Sequence, residues 1–373
     1  MIISSYRCHL VTRPASAVVP TSYGAAPRER PHVVVELFDA EGRRGLGESS
    51  PLPEFTGETA RQVKLVLETE YLPRLLGLEV FNQRKVERML DCLPGNRSAR
   101  CAVDVALHDL RGHILGLPLY RLLGGAISDR VSITRPIGVV ETSEAVRLAC
   151  ACVEEGFHTI KLKVGVDPAG DLERVRAVRE AVGPRVRIRV DANQGYRPSE
   201  AVWLVRGLEE LDIEYIEQPV PAWDVAGLRR VRSASTVPVA VDESVHTLRD
   251  LIRLGEAEAA DVVILKLVKA GGITPALRLA HLAEGYGMRC TVVSTFDTQI
   301  GAAACLHLAL AAGYSGHAHE LTVFATQPHL ADSAIRVEGG AVVVSEDPGL
   351  GVRSIAELRV QEGGGEEARR HIR

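Results

Sequence analysis

The chain has 373 residues, more than one ordinary hydrophobic core holds, although a barrel of ~250 residues folds as one unit, so two units are expected. An apolar share of 46% and a charged share of 25% exclude a disordered, collagen-like or disulfide-scaffold chain. A net charge of −4, with no block rich in Lys or Arg, argues against a nucleic-acid partner.

The first ~125 residues read as a mixed α+β unit. Residues 31–39 (PHVVVELFD) form a β-branched run, and Asp39-Ala-Glu-Gly42 turns it into Gly45-Leu-Gly47, a strand–turn–strand signal. Residues 18–30 and 51–59 carry Pro, Gly and Ser and are expected as loops. From 59 to 116 the period is helical, with turns at Pro94-Gly95 and Leu117-Pro118.

From ~130 to ~320 short β-branched runs alternate with amphipathic stretches about every 25 residues. The expected strands are 131–139, 159–164, 186–190, 213–216, 237–241, 262–267, 289–294 and 317–319. Eight strands alternating with helices predict a parallel barrel. A C-terminal segment, 336–373, follows, and its polar end from 362 is expected to fray.

Seven cysteines, an odd number with no Cys-x-x-Cys pair, predict small buried thiols in a reducing compartment. Cys150 and Cys152 lie two apart in an expected helix and face different directions, so they are not read as a metal pair. No basic segment with a long apolar core opens the chain. The longest stretch without Asp, Glu, Lys or Arg, 298–319, is densely apolar only over 300–312, the length of a buried helix. A cytoplasmic protein with no membrane partner is expected.

Several expected strands end in a charged residue. Asp191, Glu217 and Asp242 follow one another at about 25-residue intervals, one strand–helix unit each. In a barrel such ends gather on one rim, so the three carboxylates would converge. Crowded carboxylates repel and raise one another's pKa values, and a divalent cation resolves the conflict; oxygen-only ligands favour Mg²⁺ or Mn²⁺. Lys161 and Lys163 share one strand face by period two, and Lys266 ends the sixth strand on the opposite side of the opening. A lysine beside a cation and another lysine has a lowered pKa and can serve as a base. Any one of these acids alone reads as a helix cap. Five ionisable groups at unit spacing do not read as surface.

These segments resemble the enolase superfamily, in its muconate-lactonizing (muconate cycloisomerase) subgroup. The matching stretches are Lys161-Leu-Lys163, Val190-Asp-Ala-Asn193, Ile216-Glu-Gln-Pro219, Val241-Asp-Glu-Ser244 and Leu265-Lys-Leu-Val-Lys269-Ala-Gly-Gly272. Ala102-Val-Asp104 through Asp109-Leu-Arg-Gly112, with Gly116-Leu-Pro118 and Leu122-Leu-Gly-Gly125, resembles the family's domain-junction helix.

The resemblance implies a (β/α)7β TIM-like barrel, 126–335, with an α+β N-terminal capping domain, 1–125, completed by 336–373. It implies one Mg²⁺ held by Asp191, Glu217 and Asp242, an acid/base pair of Lys163 and Lys266, and Lys161 on the substrate carboxylate. Asn193 and Glu243 match neighbouring motif positions and are expected to support those ligands. The resemblance also suggests a homo-oligomer, from dimer to octamer.

Substrate choice is expected to fall to Tyr23, Phe55, Thr56, Asp297 and Glu320, on the capping loops and last strands. Thr21-Ser-Tyr-Gly24 is similar to succinylbenzoate synthases and N-acylamino-acid racemases. His319-Glu320-Leu321 and Phe296-Asp-Thr-Gln-Ile-Gly301 are similar to lactonizing enzymes, although Val323-Phe324 replaces the usual Gly-Pro. The Asp-x-Asp pair of dipeptide epimerases is absent.

The expected activity is Mg²⁺-dependent proton transfer next to the carboxylate of a small molecule, through an enediolate. A muconate-type cycloisomerisation leads. Racemisation or epimerisation of an N-substituted amino acid comes second and dehydration third; a non-catalytic metal-binding scaffold is the alternative outside enzymes. His317 and His319 are read as core or rim residues, and Trp203 and Trp223 as packing.

Overall fold

The computed structural model describes residues 1–14, 29–294, 296–312, 317–326, 335–353 and 359–360. Near the N-terminus, β1 (Ile3–Pro14), β2 (Glu29–Asp39) and β3 (Arg44–Ser49) form an antiparallel sheet. The turn between β2 and β3 closes on Asp39 Oδ1, which accepts from Glu41 N and Arg43 N, with Gly42 at φ 82°. Five short helical segments follow, and then the long helix Arg97–Leu115.

That helix is the wall between two cores. Ala99, Ala102, Val103, Ala106, Leu107 and Leu110 pack into the core of the first unit, while Cys101 and Val105 face the barrel side. Gly45 and Gly47 of β3 explain how closely the sheet approaches it. A Cβ on Gly47 would sit 2.0 Å from Ala102 O, so only glycine fits. The mixed texture of this part of the sequence is therefore one sheet laid on one long helix.

Next come β4 (Arg130–Ser132) and β5 (Arg135–Ile137), followed by β6 (Thr159–Lys163), β7 (Arg187–Asp191), β8 (Ile213–Glu217), β9 (Val239–Val241), β10 (Val262–Leu265), β11 (Arg289–Ser294) and β12 (Glu320–Leu321). From β5 to β12 they lie side by side in sequence order, all parallel where paired. Thr134 N donating to His319 O, 2.8 Å, and the Ile133–His319 bridge bring the last strand back to the first. Helices cross between consecutive strands, so the barrel is (β/α)7β. Below the rim, Tyr215, Ala240, Val262, Ile264 and Val293 form one interior cluster, with buried Arg189 over the Tyr215 ring.

Beyond the barrel, β13 (Arg336–Glu338) and β14 (Ala341–Val343) make a hairpin that pairs with β4, whereas β15 (Arg359–Val360) pairs with β1.

Three expectations need correction. The eighth strand is Glu320–Leu321, displaced past the expected 317–319, of which only His319 joins the ladder. Trp203 and Trp223 are 52% and 78% exposed, on the outside of a barrel helix and on a loop, and do not pack in the core. The expected 31–39 strand begins earlier, at Glu29.

The helix Gln299–Ala311 is buried along nearly its whole length, as its unbroken apolar run predicts. Among the described residues no helix is long and apolar enough to cross a membrane.

Candidate functional site

Period two sets the site. On three barrel strands the inward residue below the rim belongs to the interior cluster, and the next inward residue, two positions on, is charged. Pairs of this kind are Tyr215 and Glu217, Ala240 and Asp242, Ile264 and Lys266. The register then lines up Lys163 with Asp191 and Asp191 with Glu217 in one row. Asp242 and Lys266 each follow the last residue of a strand.

The five groups meet as expected from their spacing, and Glu320 joins them. Lys161, fully buried, lies 2.9 Å from Asp191 Oδ2, 3.0 Å from Glu217 Oε1 and 2.8 Å from Glu320 Oε2. Lys163 donates to Asp191 Oδ2 at 2.6 Å and to Asn193 Oδ1 at 2.9 Å. Lys266 donates to Asp242 Oδ2 at 2.6 Å.

Asn193 and Glu243 stand where supporting groups belong. Asn193 adopts φ 42°, its N donates to Asp191 Oδ1 at 3.0 Å, and its Nδ2 donates to Glu243 Oε1 at 3.3 Å.

Burial pushes the Asp191 and Asp242 carboxyls up, but the neighbouring lysines outweigh it and hold both well below the usual range. Glu217 goes the other way. Burial, then repulsion from Asp191, Asp242 and Glu320, outweighs Lys161 and raises it to about 8. Glu217 Oε2 is buried, with Lys161 Nζ 2.9 Å away. Carboxylates crowded in this way offer oxygen donors only, and such a donor set suits a hard dication. Among the described residues no group of three such side chains is already arranged around a cation position. Four ammonium groups, those of Lys161, Lys163, Lys266 and Lys269, lie against the carboxylates.

Burial lowers Lys266, but Asp242, Glu217 and Glu243 more than reverse it, and its pKa is raised.

The substrate-contact expectations separate. Phe55 reaches the site: its ring centroid is 4.4 Å from Lys266 Nζ, and it stacks on His246. Asp297 lines the same narrow cleft as Ser50, Leu52, Phe55, Lys266 and Phe296, and accepts from the Ser50 hydroxyl. Burial and Glu48 raise Asp297 to about 6. Thr56 is turned away from this work; its hydroxyl bonds Leu52 O at 2.9 Å within its own turn. Tyr23 lies outside the described residues. His317 and His319 sit at the far end of the barrel, with His317 on Glu214 and His319 Nδ1 accepting from Val292 N.

Two residues carry more than their motifs suggested. Lys269, buried, donates to Asp242 O at 2.6 Å and to Oδ1 at 2.7 Å. Gln218 Oε1 accepts from Asp242 N and Ser244 N. The signal for Lys269 was its position three residues after Lys266, one helical turn on a short helix.

Comparison with known proteins agrees with this architecture. Residues 9–124 match the mandelate racemase / muconate lactonizing enzyme N-terminal domain, and residues 144–357 match the enolase C-terminal domain-like family. An L-Ala-D/L-Glu epimerase of Clostridium acetobutylicum is 35% identical over 332 residues, covering 87% of this chain and 91% of that protein. A chloromuconate cycloisomerase of Pseudomonas putida is 33% identical over 366 residues, covering 94% of this chain and 96% of that protein. The crystal structure of a dipeptide epimerase from Enterococcus faecalis, complexed with Mg and the dipeptide L-Leu-L-Tyr, superposes with a TM-score of 0.88. It is 31% identical and covers 95% of this chain and 100% of that one. With a barrel rim of acids and lysines and family matches over both halves of the sequence, this chain belongs to the mandelate racemase/muconate lactonizing enzyme family of the enolase superfamily.

Proposed function

We propose that the protein is a Mg²⁺-dependent racemase or epimerase of N-substituted amino acids. The observation that carries this reading is the pair of lysines on opposite flanks of the acidic row, Lys163 on Asp191 and Lys266 on Asp242. A proton next to a carboxylate is barely acidic, because its removal builds a second negative charge on that carboxylate. In this superfamily a Lys or His base works with Mg²⁺ against that charge. Asp191, Glu217 and Asp242 would hold the ion, which when bound would stabilise the charge growing in the transition state.

The chain's own groups do the rest. Lys161 orients the substrate carboxylate. Lys163 and Lys266 lie on strands that are not neighbours, so one removes the α-proton from one face while the other returns a proton to the opposite face. Asn193 and Glu243 keep Lys163 and Asp191 aligned. Phe55 covers Lys266 and keeps water from it. Phe55 and Ser50 of the first unit meet Lys266 and Asp297 of the barrel in one cleft at the mouth.

Several relatives at this level of identity are epimerases of dipeptides, which favours this reading over the cycloisomerisation that the motifs alone put first. Cycloisomerisation of a muconate-type dicarboxylate is the second reading, supported by Glu320-Leu321 at the end of the eighth strand and by the chloromuconate relatives.

The test is a chiral assay of single-enantiomer N-acyl amino acids and dipeptides, with MgCl₂ and with EDTA. Interconversion that EDTA abolishes is expected. No interconversion of any of these, with lactone formation from cis,cis-muconate, would overturn the reading in favour of the second.

A further inference from the structure

The helix Arg97–Leu115 begins beside the barrel rim, where a Cβ on Gly271, in the segment after Lys266, would stand 3.8 Å from Arg97 O. His113 lies near the other end of that helix, about 24 Å further along the axis. There Arg43, Arg44, His113, Asp347 and Arg353 line a cavity of about 540 Å³, the size of a small-molecule site. It shares no residue with the cleft at the barrel mouth.

Three segments meet in this cavity. Arg43 and Arg44 follow the turn after β2, His113 belongs to the helix, and Asp347 and Arg353 lie between β14 and β15. The seam is tight. A Cβ on Gly112 would stand 2.4 Å from Gly349 Cα, so the helix and the C-terminal segment touch backbone to backbone. Leu350 N donates to Asp109 Oδ1 at 2.7 Å, and Arg44 Nη2 donates to Arg353 O at 2.8 Å. The cationic groups are therefore held in place before any ligand arrives.

The lining carries three guanidinium groups and an imidazole against one carboxylate. That carboxylate is already engaged: Asp347 Oδ2 accepts from Arg353 Nε at 3.2 Å and from Nη2 at 2.8 Å. The other acids stand outside the lining. Asp39 and Glu36, both buried, take Arg43 Nε at 2.7 Å and Arg44 Nη1 at 3.2 Å, and surface Glu41 takes Arg43 Nη1 at 3.0 Å. Arg43 Nη2 is left buried with no hydrogen-bond partner. A helix C-terminus repels an anion, but here Gly112 O already accepts from Leu117 N at 3.0 Å. One guanidinium fork satisfies a carboxylate, whereas a phosphate offers oxygens in several directions and suits cations supplied from three sides.

We propose that this cavity binds a small phosphate-bearing molecule, at a site separate from the reacting one and independent of which substrate that one takes. Bound there, the phosphate bridges the turn after β2 to the C-terminal segment and stabilises their docking on the helix.

The full chain with MgCl₂ is titrated calorimetrically with glycerol phosphate and with succinate, a dianion without phosphate, at one ionic strength set by KCl. The same titrations follow for Arg43→Gln, Arg353→Gln and Lys266→Ala. The Arg353 side chain is 67% exposed, so Arg353→Gln keeps the fold even where Arg43→Gln loosens the turn. Glycerol phosphate is expected to bind at one site and to raise Tm; each arginine variant weakens it about tenfold, and Lys266→Ala leaves it unchanged. No binding, an affinity that neither arginine variant lowers, or an affinity lost in Lys266→Ala would overturn the proposal, as would succinate binding with the same dependence on the arginines.

Discussion

Glu217 sits at the focus of the crowding among the rim acids. Its carboxyl is raised to about 8 by burial and by Asp191, Asp242 and Glu320. The unfolded chain titrates it near 4.3, so the folded state holds the proton over a wider pH range. Stability from this group is complete below ~4.3 and is lost as pH rises through 8. Glu217→Gln, neutral and of the same shape, should therefore raise the Tm of the metal-free protein, by more at pH 9 than at pH 5. It should also remove the Tm increase that MgCl₂ gives the wild type, since a ligand is gone. A variant that still gains Tm from MgCl₂ would show that Glu217 is not a ligand.

His307 offers a titration remote from the site. It lies in the buried helix Gln299–Ala311, accepts from Tyr120 N at 3.1 Å and stacks on the Tyr120 ring. Burial lowers it to about 4. The folded protein keeps this imidazole neutral while the unfolded chain takes a proton near 6.5. Its contribution is intact above ~6.5 and is lost as pH falls towards 4, by on the order of 3 kcal/mol in all. His307→Gln should flatten the fall in urea midpoint between pH 7.5 and pH 5, and an unchanged fall would refute this.

Among the elements, the helix Arg97–Leu115 joins the two units by more than apolar contact. Asp104 Oδ2 accepts from Thr274 N at 2.9 Å and Oδ1 from the Thr274 hydroxyl at 2.8 Å, capping the helix Ile273–Gly285 from across the junction. Asp109 accepts from Leu46 N and Leu350 N, both at 2.7 Å, tying β3 and the C-terminal segment to the same helix. Asp104→Ala leaves a buried N–H unpartnered, and should lower stability by about 1–3 kcal/mol, read as a lower urea midpoint. No change in midpoint would mean that apolar packing alone docks the units.

This element was legible in the sequence as a motif, but its partners were not. The contacts of Asp104 and Asp109 lie 170 and 241 residues away, and no local pattern encodes such separations. The two-residue eighth strand slipped for a related reason, since Glu320–Leu321 is too short to show a period.

At the scale of the molecule, the barrel was readable because strand and helix periods repeat seven times and because each charged group follows an apolar run. The same rule of two places Lys161 and Lys163, Tyr215 and Glu217, and Ile264 and Lys266 on the inner face. What that rule could not supply was the wall of the cleft. Phe55 and Phe296 come from aperiodic segments of the two units, and only the docking of one unit on the other brings them together. The lysines also lie on the carboxylates in a way spacing does not foretell.

The central claim is that two amines serve opposite faces of one α-carbon, and stereochemically resolved exchange tests it most directly. Both enantiomers of an N-acyl amino acid that the wild type racemises are incubated in D₂O with MgCl₂ and either Lys163→Ala or Lys266→Ala. Each variant should take up deuterium into one enantiomer only, the opposite one in each case, and neither should interconvert them. A single-lysine variant that still racemises, or that labels both enantiomers, would contradict the account.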